Sequence, residues 1–73
     1  MNPRDIRRRL SMPDGSTPSQ AEFAAAIGVH VQTVSKWETG ARVPEGAALT
    51  LYRLLDARPE LFWELVQPSG DAE

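Results

Sequence analysis

A chain of 73 residues has room for one small domain and excludes a second, catalytic one. With 41% hydrophobic and 25% charged residues it matches neither the disordered nor the membrane class, and the absence of cysteine removes disulfides, thiolate nucleophiles and cysteine-based zinc sites, leaving the cytoplasm as the expected location. The net charge of −2 is uneven: residues 1–53 carry +2 and residues 54–73 carry −4, so the acidic end is the poorer surface for a polyanion. A domain this short buries only about 60% of the surface its unfolded chain exposes, so a second copy would stabilise it. Met1 to Arg9 holds four arginines with no apolar run after them, which fits neither a secretion signal nor a spanning helix.

In chain order, Pro3 with Ile6 and Leu10 predicts a short amphipathic helix over 3–11. Met12 to Pro18, with two prolines and an Asp-Gly pair, predicts a loop. Ser19 and Glu22 have capping-box spacing, which opens a helix over 19–28 with Phe23, Ala24 and Ile27 on its apolar face and Gly28 as the terminator. After only Gly28 and Val29, a second helix is expected over 30–39, ending at Thr39-Gly40. Pro44 is expected in the first turn of the longest helix, where Ala47, Ala48, Leu51, Tyr52, Leu54 and Leu55 recur at helical spacing. Pro59 opens a last helix over 59–67 whose Leu61, Phe62, Trp63, Leu65 and Val66 are apolar nearly all round, and 68–73 reads as a frayed tail. The fold class is therefore all-α, a five-helix domain over 1–67.

Two short helices crossing steeply after a tight turn need a small residue at the contact, a glycine in the turn and bulky residues sealing the junction. Ala24, Gly28, Val34 and Trp37 supply them. At 100° per residue from Val34, Val31 and Trp37 fall at about ±60°, Thr33 and Ser35 at about ±100°, and Gln32 and Lys36 at about ±160°. Gln32 and Lys36 thus point away from the core. Glutamine suits adenine and lysine suits guanine in a major groove, although such a stripe is also common on solvated helices.

The run Ser19-Gln20-Ala21-Glu22-Phe23-Ala24, then Ile27-Gly28-Val29, then Thr33-Val34-Ser35-Lys36-Trp37-Glu38-Thr39-Gly40 resembles the Cro/CI (XRE-like) helix-turn-helix family over about residues 6–56. The stretch from Arg42 to Ala48, with Leu51, Leu55 and Arg58 to Leu61, is similar to the narrower group of small HigA-like antitoxins and stand-alone operon regulators. The resemblance implies a repressor that binds a palindromic operator as a homodimer and regulates its own small operon, of phage, mobile-element or toxin-antitoxin type. It also implies that Gln20 contacts a phosphate, that Val31, Gln32 and Lys36 face bases, that Thr33 and Ser35 reach bases or phosphates, that Arg42 grips phosphate, and that Arg7 pairs with Glu38. His30 stands where the family usually places a capping residue, and the loop over 13–18 is longer than the usual connection.

Several residues remain open to two readings. His30 is an exposed loop histidine or a phosphate contact, and Val31 is core or touches a thymine methyl. Trp37 is read as core. The arginines of the first helix are read as a solvated face, Arg7 excepted. The apolar crowd at Leu61, Phe62, Trp63, Leu65 and Val66 is core, a homodimer interface, or a dock for another protein such as a toxin; the homodimer reading places Phe62 or Trp63, with Val66, on the outward face. The rival function is accordingly an antitoxin or protein-interaction module that neutralises a partner through the last helix. An enzyme is disfavoured, because one His, no Cys and no glycine-rich phosphate loop cannot converge on a reacting atom. No cofactor or metal is implied.

Overall fold

The computed structural model describes residues 1–67; the expected tail at 68–73 lies outside them. Among the described residues there are five α-helices and one 3-10 turn, with no strand: α1 (Pro3–Arg8), α2 (Gln20–Ile27), α3 (Val31–Thr39), α4 (Ala47–Ala57), the 3-10 turn Pro59–Phe62, and α5 (Trp63–Val66). No helix among these residues is long and apolar enough to cross a membrane.

Helix α1 is capped by the Asn2 side chain, which accepts from the Asp5 N–H. It ends three residues earlier than the spacing predicts. Arg9 and Leu10 donate to the carbonyls three residues back instead of four, a tightening common at helix ends, and this still turns Leu10 into the core. The loop that follows is a closed turn: Met12 and Gly15 bond across it, and the Asp14 carboxylate accepts from both the N–H and the hydroxyl of Ser16, which hold it below the usual carboxylate range. Its two ends are anchored, Met12 against the core and Pro18 buried.

The capping box of α2 is formed in both directions, Ser19 Oγ accepting from the Glu22 N–H and the Glu22 carboxylate from the Ser19 N–H. Gly28 closes the helix at φ +83°, a left-handed conformation that costs glycine little. Helix α3 starts at Val31 and not at His30, because His30 is still extended at φ −73°, ψ 147° and contributes only its backbone carbonyl to the first turn. Pro44 does not open α4. It is buried in the connection, while Gly46, at φ +59° and ψ −131°, immediately precedes the helix, which begins at Ala47.

The core gathers Ile6 and Leu10 from α1, Phe23 and Ala24 from α2, Val34 from α3, Tyr52 and Leu55 from α4, and Phe62. Its centre is aromatic. The Phe23 ring lies 5.5 Å from Tyr52 and 5.8 Å from Phe62, and Trp37 meets Tyr52 edge-on at 5.6 Å, separations at which ring quadrupoles attract.

The last segment corrects the sequence reading. The expected single helix over 59–67 is a 3-10 turn followed by one short α-helical turn. Phe62, placed from the sequence at an interface between copies, is 0% exposed. With three residues per turn instead of 3.6, the 3-10 geometry re-aims Phe62 toward Phe23, and complete burial of a phenylalanine is worth about 1.5 to 3 kcal/mol. The residues left outward are Trp63 and Leu65, with Leu54 of α4, while Leu61 and Val66 are partly buried against the core.

Candidate nucleic-acid interface

The junction of α2 and α3 is sealed by Ala24 and Val34, both buried, and Gly28 reverses the chain between the helices. Once Val34 faces inward, the remainder of α3 is fixed by helical geometry. Gln32, Lys36 and Val31 are exposed, Val31 at 42%, whereas Thr33 and Ser35 are half-buried on the shoulders. Val31 is therefore on the outer surface, and Trp37 is half-buried against Tyr52. His30 is exposed just ahead of the helix.

The C-terminal end of α3 is locked by its own backbone. The Lys36 carbonyl accepts from the Arg42 N–H at 3.2 Å and from the Thr39 hydroxyl at 3.3 Å, and Gly40 makes this possible at φ +86°. Arg42 is exposed beside this end of the helix, in a shallow depression shared with Thr33, Trp37 and Glu45. Among the described residues the ion pairs engage Arg4, Arg7, Arg9 and Arg58; Lys36 and Arg42 take part in none.

Behind this surface lies a charged knot. The Glu38 side chain is 0% exposed and accepts from Arg7 twice, Nε to Oε2 at 2.6 Å and Nη2 to Oε1 at 2.9 Å. Arg7 Nη1 also donates to the Pro18 carbonyl at 3.0 Å, and Gln20 Nε2 donates to Glu38 Oε1 at 3.0 Å. Arg4 Nε stands 3.6 Å from that same oxygen. Burial by itself would push the Glu38 carboxyl up; the hydrogen bonds from Arg7 and Gln20, with the charges of Arg7 and Arg4, overcome it and hold the group below its ordinary value. The knot ties α1, the loop, α2 and α3 together, which fixes the angle at which α3 is presented.

The amide of Gln20 is thus partly engaged inside the protein. One N–H goes to Glu38, which leaves the second for an outside acceptor. The bond from Gln20 to Glu38 and the approach of Arg4 were missed from the sequence, although Arg4 precedes Arg7 by three residues and so shares its helix face. Tyr52 was read simply as core. Its ring is core, but its hydroxyl is buried with no hydrogen-bond partner among the described residues, and burial pushes its pKa up.

No curated protein and no solved structure matches the chain. A family model described as helix-turn-helix matches residues 19–56, more than half of it and spanning α2, α3 and nearly all of α4. The chain belongs to the Cro/CI-type helix-turn-helix family, a family of DNA-binding transcription regulators.

Proposed function

We propose that the chain is a repressor that lays α3 in the major groove of an inverted-repeat operator, binds it as a homodimer and regulates its own small operon. The observation that carries this reading is the outward stripe of Val31, Gln32 and Lys36 on a helix held at both ends, by the Gly28 turn and by the backbone bonds to the Lys36 carbonyl. In this reading Gln32 and Lys36 contact base edges and Val31 a thymine methyl. Thr33, Ser35 and His30 reach the groove walls, and Gln20 and Arg42 hold phosphates. The protein works where the DNA is, in the cytoplasm or nucleoid. The net charge of −2 limits the phosphate contribution, so direct base contacts and dimerisation carry a larger share of affinity.

Dimerisation is assigned to the exposed apolar residues of α4 and the last segment, Leu54, Trp63 and Leu65, with the partly buried Leu61 and Val66 beside them and without Phe62. Leu51, Leu54, Leu55, Leu61 and Leu65 line one apolar groove there, rimmed by Glu64. Selection from a random duplex pool is expected to return two half-sites about one turn, roughly 34 Å, apart. Gln32→Ala with Lys36→Ala should bring the selected duplex close to scrambled DNA, each good base contact being worth about 1 to 3 kcal/mol. A pool with no enriched sequence, or a double variant that binds as the parent does, refutes base reading by α3. Trp63→Ala with Leu65→Ala should yield a monomer by sedimentation, and a persistent dimer refutes the assigned face. A parent chain that is monomeric and binds no duplex would favour the antitoxin role, with the same face meeting a toxin.

A further inference from the structure

Glu38 is a single buried carboxylate with two guanidinium groups within 4 Å, so the knot of Arg4, Arg7 and Glu38 carries one positive charge in excess. That excess is not shared evenly. The Arg7 side chain is 12% exposed and spends its fork on Glu38 and the Pro18 carbonyl, whereas the Arg4 side chain is 46% exposed and stands only at ion-pair distance from an oxygen already accepting two hydrogen bonds. The unspent charge and donors are therefore those of Arg4.

Their position is set by Gln20. Arg4 Nε and Gln20 Nε2 flank the same Glu38 Oε1, so they are separated by no more than 3.6 and 3.0 Å laid end to end. Two charge-assisted hydrogen bonds of about 2.8 Å, made by neighbouring oxygens of one phosphate, cover a span of that size. The other arginines of this part of the chain are placed differently. Arg9 is paired with Asp56, and Arg8 borders a depression that also contains Asp5 and Asp56.

We propose that Arg4 grips a DNA backbone phosphate next to Gln20, with Glu38 as the positioning residue for both, so that α1 belongs to the DNA-binding face. The proposal rests on the DNA-binding reading above. Arg4 supplies charge and a fork of donors without reading sequence, so its loss weakens all duplexes alike.

The test is titration of a fluorescent random-sequence duplex with the full chain across a series of KCl concentrations. Arg4→Gln should lower the slope of log affinity against log salt by about 0.9, so that a fourfold rise in salt costs about 3.5-fold less affinity than it costs the parent. Arg4→Lys should keep the parent slope, and Arg8→Gln should leave it unchanged. A parent slope in Arg4→Gln, with or without a lower melting temperature, overturns the proposal, because a purely structural arginine changes stability and not the number of counterions released. Equal reductions in Arg4→Gln and Arg8→Gln overturn it as well, since general charge would then suffice. A parent chain that binds no duplex at any salt fails the DNA-binding reading itself, a result distinct from both.

Discussion

Replacing Arg7 with methionine keeps most of the side-chain bulk and removes its charge, and it leaves the Glu38 carboxylate buried with a hydrogen bond from Gln20 and Arg4 at 3.6 Å. Removing one partner of a buried ion pair costs about 3 to 5 kcal/mol. Because Gln20 and Arg4 remain, the lower end, about 3 kcal/mol, is expected. A chain of 73 residues has about 4 to 11 kcal/mol of total stability at 0.05 to 0.15 kcal/mol per residue, so the loss is a large fraction of the whole. In thermal melts followed by circular dichroism it should appear as a fall of at least about 12 °C. Acid gives a second and more specific signature. In the parent, the folded Glu38 value lies below the unfolded one, so its contribution is fully present above the unfolded value, near 4.5, and is lost as pH falls through the folded one. In Arg7→Met the largest cause holding the carboxyl down is gone, so the folded value rises toward the unfolded one and less stability should be lost as pH falls than in the parent. Adding Glu38→Gln should recover part of the loss, with a coupling of about 0.5 to 3 kcal/mol. A variant that loses under about 1 kcal/mol, as exposed pairs do, and keeps the parent's acid profile would show that Glu38 is solvated and that the knot does not hold α1 to α3.

Tyr52→Phe removes a buried hydroxyl that has no partner among the described residues and should raise stability by about 1 kcal/mol in urea titrations; a loss would reveal an acceptor for that hydroxyl. Phe62→Ala should cost about 3 to 5 kcal/mol because it empties the slot against Phe23, while Val43→Ala, at a residue 70% exposed and outside the dimer face, should barely move the melting temperature. The reverse order would return Phe62 to the surface. Gly28→Ala should cost about 1 to 2 kcal/mol through its positive φ alone, since no atom lies within 4 Å of the added methyl; a larger loss would indicate a clash.

What could be read in advance was whatever depends on residues close together in the chain. Ser19 with Glu22, the glycine after Ile27 and the inward setting of Val34 are local matters, and each has one favourable solution. What escaped depends on local backbone conformation that residue spacing does not report, or on partners far apart. Pro44 has the chemistry to begin a helix, yet Gly46 two residues on holds a backbone conformation that no helix continues through. Phe62 was misplaced because a segment apolar nearly all round offers no pattern to say which side meets the core, and the tight 3-10 winding there decides it. Gln20 and Glu38 are separated by 18 positions, and no periodicity reports that they meet. Arg4 was legible only through Arg7, three residues along the same face.

The family match begins at Ser19 and ends at Asp56, but the core ignores those limits. Ile6, Leu10 and Phe62 plug it from outside the matched stretch, and Arg7 neutralises a carboxylate within it. A peptide trimmed to the recognisable motif would therefore expose three apolar sockets and strand one anion. The smallest heritable unit that can be moved between proteins is the motif together with both flanks, and a graft of α2 and α3 alone would have to find substitutes for Tyr52 and Leu55 as well as for those four side chains in its new host.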